Sequence, residues 1–200
     1  IVPVLPQTNP FEWFRPVSVP EIYYYQFSDP GTFDRLSPDV KRRVCSWDDV
    51  CAMYRRDILE ILPFEKVIFG EDMTWCKSAL RAGYKFSYNP QARVFHFHLN
   101  EEDYLYKRTL TEFFSFYELF GCVPERGNFL RLGRRIISLV IKEKRVSFRR
   151  KLFWISEEIK CWMTIQKVVR DFLKYMKRGD AELENYHQKI CGQPAQAPKQ

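Results

Sequence analysis

Two adjacent carboxylates are the side chains with the clearest chemical potential in this sequence. Glu71 and Asp72 follow Gly70, at the point where the sequence predicts the start of a helix. Paired carboxylates in such a position bind a cation or act as a general base. Acidic residues in a first turn are more commonly capping residues, because they interact favourably with the positive end of the helix dipole. The pair on its own therefore leaves both interpretations open.

Two further pairs contain groups that suit metal ions or phosphates. His96 and His98 flank Phe97 in a predicted strand, so both imidazoles lie on one face. Two imidazoles so placed share a metal or flank a diphosphate, although half-buried strand residues with ordinary hydrogen bonds have the same spacing. The guanidinium groups of Arg55 and Arg56 suit phosphate, although such a pair is also typical of solvated charge at the start of a helix.

Short elements are predicted to position these side chains. Seven of the twelve prolines fall in residues 1–40, which predicts a loop-like segment because proline is excluded from helix interiors and central strands. Hydrophobic periodicity, helix caps and glycine terminators then predict the elements up to residue 120. They are an extended stretch over 44–54, a helix over 57–62, a helix over 71–83, strands over 84–88 and 92–98, and a helix over 102–120.

The C-terminal part of the chain is strongly basic and helical. Residues 126–178 carry 16 Lys/Arg and 4 Asp/Glu, whereas the whole chain has a net charge of +7. Helices are predicted over 129–145 and 148–176, and the second has an apolar stripe that begins at Phe148 and Leu152. This charge predicts an anionic partner, which is a lipid surface, a nucleic acid or an acidic protein face. Periodicity does not distinguish an in-plane membrane helix from a helix packed on its own catalytic domain.

Cysteine spacing and apolar run length exclude several classes of protein. The six cysteines form no Cys-x-x-Cys pair and no zinc-ribbon spacing, so free thiols in a reducing compartment are expected. The apolar runs are far shorter than the roughly 20 residues that cross a bilayer. The chain begins at Ile1 with no basic-then-apolar leader after it, and we expect a fragment or split product.

Taken in order, these motifs resemble the acceptor half of a family 2 glycosyltransferase of the bacterial rhamnosyltransferase-like branch. The similarity extends over about residues 5–115. Its most specific part is the Glu71-Asp72 pair followed, at this distance, by the His96-Phe97-His98 motif. The matching positions are 49–59, Phe64, 69–75, 79–85 and 92–98.

The resemblance implies a role for each acceptor-side residue. Asp72 would be the general base, which takes the proton of an acceptor hydroxyl as this hydroxyl attacks the anomeric carbon with inversion. Glu71 would orient the acceptor or tune its neighbour. Trp75, Trp47 and Asp49 would line the acceptor site, although the family usually has Asn where this chain has Asp49.

The resemblance also implies a donor site and a metal. Arg55 and Arg56 would lie near the donor. His96 and His98 would ligate Mg²⁺ or Mn²⁺, and this ion would neutralise the leaving nucleoside diphosphate. The donor-binding half, with its Asp-x-Asp motif, is expected upstream of Ile1, so the isolated chain is expected to have little or no activity.

The resulting prediction is an α/β fold, the C-terminal half of a GT-A fold followed by basic amphipathic helices. Residues 1–120 would form the acceptor-side half, 121–178 the basic helical region and 179–200 a flexible tail. Such an enzyme transfers a sugar from a nucleotide-diphosphate donor to a glycan or lipid-linked acceptor in bacterial cell-surface polysaccharide synthesis. It would act in the cytoplasm, peripherally on the anionic inner face of the bacterial inner membrane.

The alternative is a non-catalytic remnant of such an enzyme that binds a membrane or a protein partner. The missing donor half favours this alternative. A nucleic-acid-binding module is disfavoured, because the basic region has no stacking motif and no recognisable binding module.

Overall fold

The structure is a computed structural model that describes residues 21–47, 49–89, 91–92, 102–137, 141 and 147–192. Helices dominate these residues, and the only strands among them form a small antiparallel pair. The chain forms two compact units. The described residues of the first unit lie within 21–92 and 114–122, and those of the second lie within 102–113 and 123–192. Helices and strands are thus both present among the described residues, but helices dominate, and the C-terminal half of a GT-A fold stays a prediction.

The first unit contains short elements around one longer helix. They are β1 (Tyr23–Tyr25), α1 (Pro30–Asp34), α2 (Pro38–Val44), a 3₁₀ turn (Asp49–Cys51), α3 (Arg56–Ile61), α4 (Glu71–Arg81) and β2 (Phe86–Tyr88). α4 ends near its predicted terminator Gly83, which has a positive φ of 84°. β2 pairs with β1 in the register Tyr23↔Tyr88 and Tyr25↔Phe86. Residues 93–98 of the predicted second strand, with His96 and His98, lie outside the described residues.

The proline-rich start of the chain differs from the prediction of a loop over residues 1–40. Pro30 and Pro38 are the first residues of α1 and α2. Proline is tolerated there, because its missing N–H would have no partner within the helix and its fixed φ suits a helix. Asp29 caps α1 by accepting hydrogen bonds from the Gly31 and Thr32 N–H groups. The segment over 44–54 also differs, since it contains the end of α2 and the 3₁₀ turn.

The core of the first unit is built on one face of α4. Trp75, Cys76, Ala79 and Leu80 are buried at the spacing of a single helical face. Phe33 of α1, Cys45 after α2 and Phe86 of β2 pack into the same cluster, together with Phe120 and Cys122. This packing holds the N-terminus of α4, and with it Glu71 and Asp72, in a fixed place beside the 45–55 segment.

The second unit is helical. It contains the first part of α5 (Glu102–Phe120), α6 (Phe129–Ile136), α7 (Phe148–Met176) and α8 (Asp180–Cys191). The prediction of a helix over 148–176 is confirmed. Most of the residues predicted to extend α6 to 145 lie outside the described residues. Among the described helices, even the 29-residue α7 lacks the sustained apolar content that crossing a membrane requires.

α8 occupies a segment that was predicted to be part of a flexible tail. Leu183, His187 and Cys191 are buried at intervals of four residues, so α8 has a packed face. His187 Nε2 lies 3.2 Å from Thr111 Oγ1, and Cys191 Sγ donates to the Lys107 carbonyl. In the sequence, the four-residue spacing of these three residues indicates a helix. The polar residues that follow Cys191 led instead to the prediction of a tail over the whole segment.

Candidate functional site

Gly70 controls how the chain enters α4. It adopts a left-handed conformation with φ 75° immediately before Glu71. The Thr74 hydroxyl donates a hydrogen bond to the Gly70 carbonyl at 2.9 Å, and this side-chain bond stabilises the first turn of α4. Asp72 is half-buried in the first turn, and its Oδ1 accepts a hydrogen bond from the Met73 N–H at 2.7 Å. The first-turn position predicted for Glu71 and Asp72 is therefore observed.

Five aromatic side chains form a cluster beside this helix start, which we call the aromatic cluster. Its members are Trp47, Tyr54, Phe64, Trp75 and Phe86. Neighbouring ring centroids lie 4.8–6.4 Å apart, mostly in edge-to-face geometry, which is favourable for aromatic pairs. The cluster attaches the segments before and after α3 to α4.

Both indole N–H groups of the cluster have hydrogen-bond partners. Trp47 Nε1 donates to the Tyr54 hydroxyl at 3.0 Å, and Trp75 Nε1 donates to the Leu62 carbonyl at 2.6 Å. The first bond lies within the segment before α3 and the second joins α4 to the end of α3, and together they fix the orientation of the rings as well as their contact. The site is therefore rigid on its aromatic side.

Tyr54 connects the acidic and aromatic residues of the candidate site. The pKa of Tyr54 is raised to about 12, mainly by burial and to a smaller extent by the negative charges of Asp49 and Asp72. The hydrogen bond from Trp47 acts the other way and lowers the pKa. The structure thus brings Trp47, Asp49 and Asp72 around one phenol. The sequence analysis missed Tyr54 as a site residue, although it lies within the 49–59 motif.

Trp75 is placed differently from its expected role as an acceptor-site wall. Its side chain is only 5% exposed, and the ring of Phe64 stacks on it with centroids 5.7 Å apart. Phe64 is 38% exposed, so it is the cluster aromatic that presents most surface to solvent next to Trp75. The sequence carried a signal for Phe64 only through its place in the resemblance.

Arg55 and Arg56 lie at the exposed start of α3. Arg55 pairs with Asp57, and its pKa is raised by that hydrogen bond and by the carboxylate charge. Arg56 Nε lies 2.8 Å from Glu60 Oε1, one turn further along the helix. Both guanidinium groups are highly solvated, so these pairs are weak and a phosphate could replace the carboxylates. Their assignment to the donor site stays a prediction.

A buried thiol pair lies next to Asp72 on α4. Cys76 Sγ donates to the Val44 carbonyl at 3.9 Å, and the neighbouring Cys45 thiol, burial and the charge of Asp72 all raise the pKa of Cys76. A thiol in such surroundings stays protonated and is a poor nucleophile or metal ligand. All six cysteines are free, as the sequence analysis expected. The chemistry available at this site is therefore carboxylate chemistry.

The predicted metal site falls on residues that the structure does not describe. His96 and His98, its predicted ligands, both lie in the undescribed segment after Ala92. Within the described part of the chain, no three His, Cys, Asp or Glu side chains are grouped so that they could hold a metal ion. The assignment of Mg²⁺ or Mn²⁺ to the two histidines stays a prediction.

Comparisons of this chain with protein-family models, with curated proteins and with solved structures find no match.

Proposed function

We propose that the first unit is the acceptor-side half of an inverting glycosyltransferase with Asp72 as its general base. Two independent features support this proposal. The ordered motifs of residues 49–98 resemble this class of enzyme, and Tyr54 of the 49–59 motif packs edge-to-face on Trp75, one turn after Asp72 in α4, with ring centroids 5.0 Å apart. The second feature carries most weight, because it relates residues from two separate motifs that the resemblance alone assigned to one site.

The proposed reaction is a single displacement. The oxygen of an acceptor hydroxyl attacks the anomeric carbon of the donor sugar, while the bond from that carbon to the diphosphate oxygen breaks. The hydroxyl proton moves to the Asp72 carboxylate, and the electron pair of the broken bond leaves with the nucleoside diphosphate. The first turn of α4 suits this base, because the helix dipole stabilises a negative charge there. Glu71 is the exposed neighbour that orients the acceptor.

The less buried members of the aromatic cluster, which are Trp47, Tyr54 and Phe64, form the proposed acceptor wall together with Asp49, and the buried Trp75 stacks on Phe64. Phe64 offers an exposed ring edge and face, and the phenol of Tyr54 stays protonated at neutral pH because its pKa is about 12. Ligand sites combine such apolar surface with a few fixed polar groups, which here are Tyr54 and the exposed carboxylate of Asp49. His96 and His98 would hold the Mg²⁺ or Mn²⁺ ion, which would neutralise the charge of the leaving diphosphate.

We infer that the donor is a nucleotide-diphosphate sugar and that the acceptor is a glycan or a lipid-linked saccharide. The protein would act at the cytoplasmic face of the bacterial inner membrane. Arg55 and Arg56 would lie next to the donor-binding half of the enzyme.

The test measures nucleoside diphosphate release by the protein from the complete reading frame. UDP-glucose, GDP-mannose and dTDP-rhamnose serve as donors, and a bacterial membrane lipid extract serves as the acceptor source. Asp72→Asn should reduce release by roughly 10²–10⁴-fold, the usual contribution of a general base. The substitution keeps the size of the side chain, and its hydrogen bond from the Met73 N–H can persist.

Asp39→Asn is the matched control, because Asp39 is also a first-turn carboxylate, in α2. It should leave release unchanged. Full activity of the Asp72→Asn protein would reject Asp72 as the base, and the absence of release by the wild-type protein with every donor would reject the transferase.

The second candidate is a non-catalytic remnant that binds a membrane or a partner. The exposed apolar side chains and basic charge of α7, in the second unit, favour it. It predicts no nucleoside diphosphate release in any of these assays, so the same experiment separates the two candidates.

A further inference from the structure

Helix α7 has exposed apolar side chains, most of them in its first two turns, on the half of its circumference that carries none of its buried residues, whereas further along this half Lys167 and Asp171 contact Tyr106 of α5. Successive residues of a helix are about 100° apart around its axis. On this basis its buried residues all fall in one half of the circumference: Trp154, Thr164, Val168, Val169 and Phe172. Four large exposed apolar side chains fall in the other half: Phe148, Leu152, Phe153 and Met163. Both phenylalanines lie in the first two turns of the helix, where the side chain of Phe148 is 73% exposed and that of Phe153 is 60% exposed.

Basic residues share this exposed half of α7, which we call the outer face. By the same geometry it carries five cations: Arg149, Lys160, Lys167, Arg170 and Lys174. Asp171 is the one acidic residue of this half, and its side chain is mostly buried with Oδ2 accepting a hydrogen bond from the Tyr106 hydroxyl. The outer face therefore combines a net positive charge with protruding phenylalanines.

Exposed apolar side chains also occur on α6 in the same unit. Phe129 is well exposed, and its ring contacts Trp162 of α7 edge-to-face with centroids 5.6 Å apart. Leu130 is also exposed. The neighbouring side chains of α6 include Arg131 and Arg134, so the same combination of apolar and cationic groups recurs there.

We propose that the outer face of α7 docks, parallel to the surface, on an anionic lipid membrane. Basic side chains interact with the headgroups, while Phe148, Leu152 and Phe153 enter the boundary between headgroups and acyl chains. A nucleic acid would use the positive charge but would gain little from protruding aliphatic and aromatic side chains that are not arranged as a stacking platform. This combination favours the lipid surface, and the inference does not depend on any role of Asp72.

The experiment measures co-sedimentation of the full chain with vesicles. Vesicles of phosphatidylcholine alone are compared with vesicles of equimolar phosphatidylcholine and phosphatidylglycerol. The chain should bind the anionic vesicles and not the neutral ones, and added salt should weaken the binding. Phe148→Ser together with Phe153→Ser should weaken binding by about tenfold or more, because two exposed rings no longer enter the lipid. Arg149→Gln should weaken it by about fivefold.

Matched controls come from the first unit. Met53→Ser removes an apolar side chain that is 96% exposed, and Arg35→Gln removes a solvated charge. Both proteins should bind like the wild type, and circular dichroism should show that every variant is folded. Equal binding to both kinds of vesicle, or unchanged binding of the Phe148→Ser/Phe153→Ser protein, would overturn the proposal. Salt-sensitive binding to RNA or DNA without binding to anionic vesicles would overturn it as well.

Discussion

At the scale of single residues, Tyr54 determines how the candidate site is organised. Its hydroxyl accepts a hydrogen bond from Trp47, its ring contacts Phe64 and Trp75, and its pKa responds to Asp49 and Asp72. The short motifs around Asp49 and Asp72 could be read from the sequence, because each is local. The position of Tyr54 between them could not, because it depends on how segments more than ten residues apart pack together.

Tyr54 makes the stability of the protein depend on pH in the alkaline range. Its pKa is raised from 10.0 to about 12, so the folded state favours the protonated phenol. This contribution to stability is complete below the unfolded pKa and is lost as the pH rises from about 10 towards about 12. The wild-type protein should lose stability over this interval in urea unfolding, and Tyr54→Phe should lose less. An equal loss in both proteins would contradict the assignment.

At the scale of elements, the observed bounds of α4 and α7 agree with the bounds that the sequence predicts. α4 begins after Gly70 and ends before Gly83, and α7 spans the predicted 148–176. The buried side of α7 was predicted less well. The stripe from Phe148 and Leu152 is apolar, but these two residues are exposed, because the partners of a helix decide which of its apolar residues become buried. The pairing of β1 with β2 was likewise not predictable, since it joins strands far apart in sequence.

Gly70→Ala tests the conformation that positions Asp72. The φ of 75° disfavours any L side chain, and an added Cβ would lie 2.7 Å from the Met73 Cε. The free energy of unfolding should fall by about 1–3 kcal/mol. Gly133→Ala in α6 is the matched control, because a Cβ there meets nothing within 4 Å. Urea denaturation should show a gain of about 0.5–1 kcal/mol for this variant, and a similar loss for both variants would contradict the account.

Two phenylalanines of α7 test which side of the helix is packed. Phe172 is fully buried and contacts Phe113 edge-to-face, whereas Phe153 is exposed. Phe172→Ala should lower the free energy of unfolding by about 3–5 kcal/mol, because it leaves a cavity. Phe153→Ala should change it by less than about 0.5 kcal/mol. Denaturant unfolding measures both values, and the reverse order would show that the helix packs on the other side.

At the scale of the whole molecule, charge and chemistry are segregated along the chain. The carboxylates and aromatic rings of the candidate site lie in the first unit, and residues 126–178 carry 16 of the 32 Lys and Arg residues but only 4 of the 25 Asp and Glu residues. The charge asymmetry was visible in the composition alone. The division of α5 between the two units was not visible there, because a continuous helical pattern does not show where the packing changes.

The cysteines give a measurement that covers both units. Cys51 is exposed, Cys161 is partly buried, and the other four are buried. Ellman's reagent should therefore modify Cys51 rapidly in the native protein, and all six thiols once the protein is denatured. Burial also raises the pKa of Cys122 and Cys191, which slows their reaction further. Cys51→Ser should remove the rapid phase, and a rapid phase that persists would contradict the described packing.

The most direct measurement of the central claim is the rate of the chemical step in a single turnover. The protein from the complete reading frame is mixed with labelled donor and acceptor, and transfer is followed by rapid quenching. We predict that Asp72→Asn slows transfer by roughly 10²–10⁴-fold while donor binding stays as in the wild type. An Asp72→Asn protein that transfers sugar at the wild-type rate would contradict the claim that this carboxylate accepts the proton of the acceptor.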